Sequence, residues 1–234
     1  SRAGFRAMLV IAHRGASSLA PENSMEAFER AVALGADGIE LDARCTSDGA
    51  AVVLHDDSLK RTTGAKLKVS KSTLAQLRGA KLANGEAIPL LRDVVERFAA
   101  RTRLVIELKS LSAKREAERL AASNPARIII LSSFDGTDLA TVKSARKAFL
   151  WDKRGSPVAK ALELGCSEVH VRISRLDVGM VREARSAGLA VLAWGLDGTG
   201  DLRKAAELGL DGVITDVVSE AKEFFVRHPA SSQK

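Results

Sequence analysis

The sequence contains no tyrosine, two tryptophans and seven phenylalanines, so aromatics make up 4% of its 234 residues. That scarcity leaves few platforms on which nucleobases could stack. Lys and Arg outnumber Asp and Glu by 36 to 29, a net charge of +7. The excess is scattered through helix-like segments, with no dense basic run interleaved with aromatics, so no nucleic-acid partner is expected. The positive balance fits a solvated surface that draws in anionic substrates. Cysteine is nearly missing too. Cys45 and Cys166 alone exclude a disulfide-built scaffold. Long apolar runs are also missing: near the start, Met8 to Ala12 runs straight into His13-Arg14-Gly15. This falls far short of the roughly 18 residues of a membrane-spanning helix and is too short for a signal-peptide core. No stable membrane insertion is expected, and the expected location is the cytoplasm. What is present is an ordinary globular composition, 46% apolar and 28% charged, with length enough for one large core.

One unit recurs along the chain. AVALGADGIELD (31–42), ALELGCSEVHVR (161–172), EARSAGLAVLAW (183–194) and AAELGLDGVITD (205–216) each pair a helical run with a glycine and then a strand. Glycine suits the left-handed position that closes a helix. Extending the pattern gives strands near 8–12, 37–42, 104–108, 127–131, 148–151, 168–172, 190–194 and 211–215. Helices follow at about 24–34, 90–100, 113–122, 136–146, 156–164, 177–187, 200–208 and 217–227. The strands are near-continuous apolar runs, as in sheets buried on both faces. Eight such units predict an α/β fold, a single (β/α)8 TIM barrel over residues 8–227, in preference to an open doubly wound sheet. Between the second strand and the second helix lies a compact loop insertion, residues 43–89, with its own short strand at 50–55. In a barrel, such a connection sits on the catalytic face.

Chemistry-bearing residues gather at the strand ends. The first strand ends in His13-Arg14-Gly15, the second in Glu40-Leu41-Asp42 and the third in Glu107-Leu108-Lys109, while the insertion presents His55-Asp56. Residues i and i+2 of a strand share a face, so Glu40 and Asp42 point one way and Leu41 points toward the helices. Three carboxylates brought together repel unless a cation joins them. An all-oxygen, anionic donor set selects one hard divalent ion, Mg²⁺ or Ca²⁺. The competing reading, that each acid only pairs a nearby Arg or Lys, suits a lone acid better than two adjacent strand ends. Two histidines beside such a cluster, with Arg14 and Lys109 to hold an anion, point to proton transfer at a phosphate ester. His170 and His228 read as structural or exposed. Asp216 reads as the N-cap of the last helix, because VVSEAKEFF follows it.

Taken in order, HRG (13–15), APENSMEAF (20–28), GADGIELD (35–42), the T-x-DG turn (46–49), VVLHDDSLKRTT (52–63), IPLL (88–91), IELK (106–109), SSF (132–134) and GLDGVITD (209–216) resemble the glycerophosphodiester phosphodiesterase family from residue 10 to about 218. That resemblance implies a (β/α)8 barrel and a divalent metal. It also implies hydrolysis of a small-molecule phosphodiester to an alcohol and glycerol 3-phosphate. Position by position, it implies Glu40, Asp42 and Glu107 as metal ligands, and His13 and His55 as general acid and base. Arg14 and Lys109 would hold the phosphate. Asn23 would orient a histidine or the metal shell, a role that competes with, or accompanies, capping of the helix that follows. Trp194 and Phe134 would wall the glycerol pocket, unless they only pack the barrel. The nucleophile is water or the glycerol 2-hydroxyl.

The chain departs from the family pattern at Trp194-Gly195-Leu196-Asp197, where Trp-Thr and a polar residue are usual. The charged segments WDKRG (151–155) and VRISRLD (171–177) also leave the alcohol open. A related barrel enzyme acting on a sugar or lysophospholipid diester is the alternative they allow. A non-catalytic anion-binding protein would need neither the histidine pair nor the three acids.

Overall fold

In the computed structural model, which describes residues 7–228, the chain folds as a closed barrel with helices outside it. Its parallel strands are β1 (Leu9–His13), β2 (Gly38–Cys45), β4 (Arg103–Leu108), β5 (Ile129–Ser133), β6 (Arg146–Trp151), β7 (Glu168–Arg172), β8 (Ala190–Trp194) and β9 (Gly212–Thr215). The order β1-β9-β8-β7-β6-β5-β4-β2 is closed by β1 pairing with β2, His13 opposite Glu40. The short strand β3 (Ala51–Val53) runs antiparallel to the end of β2, Val53 opposite Ala43.

The outer layer comprises α1 (Met25–Ala33), α4 (Leu91–Phe98), α5 (Leu111–Ala122), α6 (Gly136–Ala140), α7 (Val158–Glu163), α8 (Val178–Ser186), α9 (Thr199–Leu208) and α10 (Val218–Arg227). Two short helices, α2 (Lys60–Thr63) and α3 (Leu74–Leu77), belong to the insertion. Odd and even strand residues divide the core. Leu41, Ile106 and Val169 face the helices, whereas Ile11, Val105, Ile130, Ala148, Leu192 and Ile214 fill the barrel interior. Full burial of each such side chain is worth about 1.5–3 kcal/mol. Phe28 of α1 meets Phe98 of α4 edge to face at 5.8 Å, tying the first two large helices together. A separate apolar cluster that includes Val52, Leu54, Leu59, Val69 and Leu77 gives the insertion its own small core. This steadies the segment that carries His55.

One predicted helix is cut short. The helical pattern at 136–146 ends at Ala140, and β6 begins at Arg146. The Glu118 carboxylate accepts the backbone N–H groups of Lys143 and Ser144 at 2.6 and 3.0 Å. That capture draws the chain out of the helical path and into the strand.

Candidate active site

All the chemistry-bearing strand ends open at the same, C-terminal face of the barrel, around a cavity of about 320 Å³. His13, Arg14, Glu40, His55, Glu107, Lys109, Phe134 and Trp194 line it. Asp42 and Asn23 do not; both are buried behind that wall. Asn23, expected near a histidine or the metal shell, gives its whole amide to Asp42. Its Nδ2 donates to Asp42 Oδ2 at 2.8 Å and its Oδ1 accepts from Asp42 N at 3.3 Å. The cap of α1 falls instead to Ser24, whose hydroxyl accepts from Ala27 N.

Glu40, Asp42 and Glu107 present carboxylate oxygens within 4.8 Å of one another. Burial first, and then the charge of Asp42, push Glu40 up to about 8. The same two causes raise Glu107, against the pull of Lys109. Lys109 Nζ lies 2.6 Å from Glu107 Oε1 and 3.3 Å from Asp42 Oδ1, and Arg14 Nε lies 3.2 Å from Asp42 Oδ2. Ion pairing with these two cations therefore accompanies the clustering of the acids, but it does not satisfy them. The Lys109 approach to Asp42 is off hydrogen-bonding geometry, and Asp42 Oδ1 stays buried with no donor. An orphaned carboxylate oxygen within a three-acid, all-oxygen donor set fits a hard divalent cation.

Each of the two site histidines is anchored through Nδ1. His55 Nδ1 lies 2.7 Å from Asp56 Oδ1, and its backbone carbonyl accepts from Arg44 Nε at 2.7 Å. His13 Nδ1 lies 2.8 Å from Asp216 Oδ1, and its Nε2 lies 4.0 Å from Glu40 Oε2. Burial lowers the proton affinity of His13, but the Asp216 hydrogen bond and the Glu40 charge outweigh it, so its pKa rises above the ordinary histidine value. Asp216 is thus not the cap of the last helix. Val217 occupies that position with no side-chain cap bond, while Asp216 turns to the cavity mouth and accepts from His13 and from Ser17 Oγ.

An ion network not foreseen from the sequence braces the rim. Arg61, from α2, donates to Asp56 at 2.6 Å and to both oxygens of Glu22 at 2.7 Å, and Arg14 Nη1 donates to Glu22 at 2.9 Å. It holds Asp56 down at about 2. Trp194 meets Phe134 edge to face at 5.6 Å, and its Nε1 donates to the His170 carbonyl at 3.2 Å. Phe134 is 47% exposed, so its ring is a rim of the cavity more than barrel filling. His170, expected to be structural or exposed, is fully buried and lines the cavity floor. Its parity with Glu168 and Arg172 on β7 was the available signal. Among the described residues, no helix is long and apolar enough to cross a membrane.

Residues 13–220 match the model of the glycerophosphoryl diester phosphodiesterase family. A glycerophosphodiester phosphodiesterase of Caldanaerobacter subterraneus subsp. tengcongensis is 36% identical over 228 residues, covering 89% of this chain and 93% of the relative. A phosphodiesterase of Oleispira antarctica, solved with its product sn-glycerol-3-phosphate, superposes with a TM-score of 0.85 at 26% identity, covering 94% and 97% of the two chains. The glycerophosphodiester phosphodiesterase of Thermotoga maritima superposes with a TM-score of 0.80 at 32% identity, covering 92% and 97%.

Proposed function

The chain belongs to the glycerophosphoryl diester phosphodiesterase family, and from that membership we propose that residues 8–227 form one catalytic domain that hydrolyses glycerophosphodiesters to glycerol 3-phosphate and an alcohol. The observation that carries the reading is the meeting, in one cavity, of two carboxylate-anchored histidines with Glu40 and Glu107. Glu40, Asp42 and Glu107 would hold one divalent ion, Mg²⁺ or Ca²⁺. Such an ion supplies charge neutralisation at the phosphate.

The protein's own groups do the rest. Arg14 and Lys109 neutralise phosphate oxygens. One of His13 and His55 takes the proton of the nucleophile, and the other gives a proton to the departing alkoxide, each turning Nε2 to the reaction because Nδ1 is engaged. Trp194 and Phe134 wall the carbon side of the glycerol arm. A cytoplasmic setting agrees with Cys45 and Cys166 being free thiols. The test is a turnover screen of glycerophosphodiesters and sugar phosphodiesters with Mg²⁺ and with Ca²⁺, reading glycerol 3-phosphate. Its release from the glycerol diesters is expected, and none with either ion would sink the reading.

A further inference from the structure

Two polar side chains on the cavity floor have no task in that chemistry. Ser132 of β5 stands between Glu107 of β4 and Ala148 of β6. His170 of β7 stands between Leu150 of β6 and Leu192 of β8. Glu107 and Leu150 line the cavity, and Ala148 and Leu192 fill the barrel interior. Ser132 and His170 therefore both face inward, and both line the cavity themselves. Ser132 is 1% exposed and His170 0%. Ser132 Oγ and His170 Nδ1 are each buried without a hydrogen-bond partner. Buried polar atoms are nearly always paired, so two orphans on one cavity floor call for a partner that the fold itself does not supply.

The surroundings of His170 fix what that partner must be. Its Nε2 lies 3.0 Å from Glu168 Oε2, and the other oxygen of Glu168 accepts from Arg103. Arg103 is a permanent cation, and an ionised carboxylate only accepts. A proton therefore sits on Nε2, facing the carboxylate, and Nδ1 is the ring nitrogen left without a partner. Neither Nδ1 nor the Ser132 hydroxyl gains anything from a methylene group. A hydroxyl suits Nδ1 with or without a proton, because it can donate or accept, and Ser132 Oγ can likewise both donate to and accept from a hydroxyl. The Trp194 indole, bonded to the His170 carbonyl, ties this floor to the aromatic wall.

We propose that Ser132 and His170 form a hydroxyl-reading floor, the subsite for the free hydroxyls of the glycerol arm. The inference rests on the hydrolase reading above and deepens it. Glu168 and Arg103 are positioning residues, holding the His170 ring through Nε2.

The experiment compares binding of glycerol 3-phosphate and methyl phosphate, two monoesters of equal charge, to the parent, S132A, H170Q and H170N with Mg²⁺ present. Gln keeps a donor toward Glu168 but loses the Nδ1 position, whereas Asn places a polar atom near it. The parent is expected to prefer glycerol 3-phosphate. S132A and H170Q should weaken glycerol 3-phosphate by about 10–100-fold, the usual cost of leaving one buried hydrogen-bonding group unpaired, and change methyl phosphate by less than threefold. H170N should recover part of the preference. If H170Q fails to fold, S132A alone carries the test. Equal weakening of both monoesters in S132A, or no preference in the parent, overturns the floor. Turnover separates the two claims. Hydrolysis with unchanged discrimination in S132A removes only the floor, whereas a parent that releases no glycerol 3-phosphate from any diester removes the hydrolase reading.

Discussion

His13 Nδ1 and Asp216 Oδ1 lie 2.8 Å apart, joining residues 203 positions distant in sequence. The bond bridges the pairing of β1 with β9, the first and last strands of the chain. The fold thus completes the site in the same step that completes the sheet. His55 obtains the same anchor from its immediate neighbour, Asp56. A carboxylate at Nδ1 fixes which ring nitrogen faces the cavity, and at His13 it also favours the protonated ring.

Replacing Asp216 with Ala should therefore lower kcat by about 10–100-fold, the usual effect of losing a ligand-orienting carboxylate. The Asp216 side chain is 61% exposed, so the melting temperature should barely move. Without its hydrogen-bonding partner, His13 should hold its proton less tightly. The limb of the pH–rate profile that belongs to His13 should then move to lower pH. A D216A variant with parental kcat and an unmoved limb removes the anchor from the mechanism.

Asp216 also shows where sequence reading stops. An Asp before VVSEAKEFF satisfies every local rule for a helix cap, and its true partner lies at the other end of the chain. By contrast, Glu40, Asp42 and Glu107 were legible, because strand parity and adjacency of β2 with β4 follow from the repeated βα unit. The strands themselves were legible because sheets covered on both faces demand continuous apolar runs. The early end of α6 was not, since it depends on Glu118 of the preceding helix capturing two backbone N–H groups. His170 sits in an apolar strand, Val-His-Val, where parity with Glu168 and Arg172 was the one local signal, and the Arg103–Glu168 pair inside the barrel shows which face that parity occupies.

Crowding of the acids gives a stability signature separate from activity. Glu40 binds its proton far more tightly in the folded protein than in the unfolded chain. In excess chelator, the unfolded state loses that proton first, near the ordinary glutamate value of about 4.3. Stability should therefore fall as pH rises from there to about 8. E40Q should flatten that slope. Mg²⁺ or Ca²⁺ should raise the parent's melting temperature at neutral pH by mass action, and E40Q should lose this response. Chelator should abolish turnover and either ion should restore it. A parent fully active in excess EDTA after dialysis would falsify the metal assignment.

Opposite pH behaviour is expected at the rim. Arg61 first, aided by His55, holds Asp56 at about 2, and Arg61 and Arg14 together hold Glu22 low against its burial. Groups with depressed folded pKa values add stability above their unfolded values, near 4, and lose it as pH falls through the folded ones. Arg61→Ala should flatten the parent's loss of stability between about pH 5 and pH 2. Urea midpoints measured across that range check it. Arg61 is half exposed, so the effect is expected to shrink in high salt. R61A and parent curves that run parallel would show the network to be stability-neutral.

Gly15, third residue of the HRG motif, has φ +82°, and a Cβ there would lie 2.7 Å from the backbone carbon of Ala27. Two separate penalties meet at this position. The left-handed backbone disfavours any side chain, and the obstacle is the buried backbone of α1 at Ala27, which cannot yield as a flexible side chain would. Gly49 isolates the first penalty, because its φ is +89° and a Cβ there would meet nothing within 4 Å. G49A should thus cost about 1 kcal/mol, from backbone strain alone. G15A should cost about 2–4 kcal/mol, strain plus clash. For a chain of this size each kcal/mol moves the melting temperature by about 2–4 °C, so the two variants should separate clearly in a thermal melt. The clash also pushes on the residues flanking it. Arg14 N donates to Glu40 Oε2 at 3.1 Å, and Ala16 N donates to Ala27 O at 2.9 Å. The folded fraction of G15A should accordingly lose turnover as well as stability, whereas G49A keeps parental kcat. Equal stability losses in the two variants would mean that α1 can shift to admit the methyl group, and that the close approach of Gly15 to Ala27 does not hold His13 and Arg14 in register.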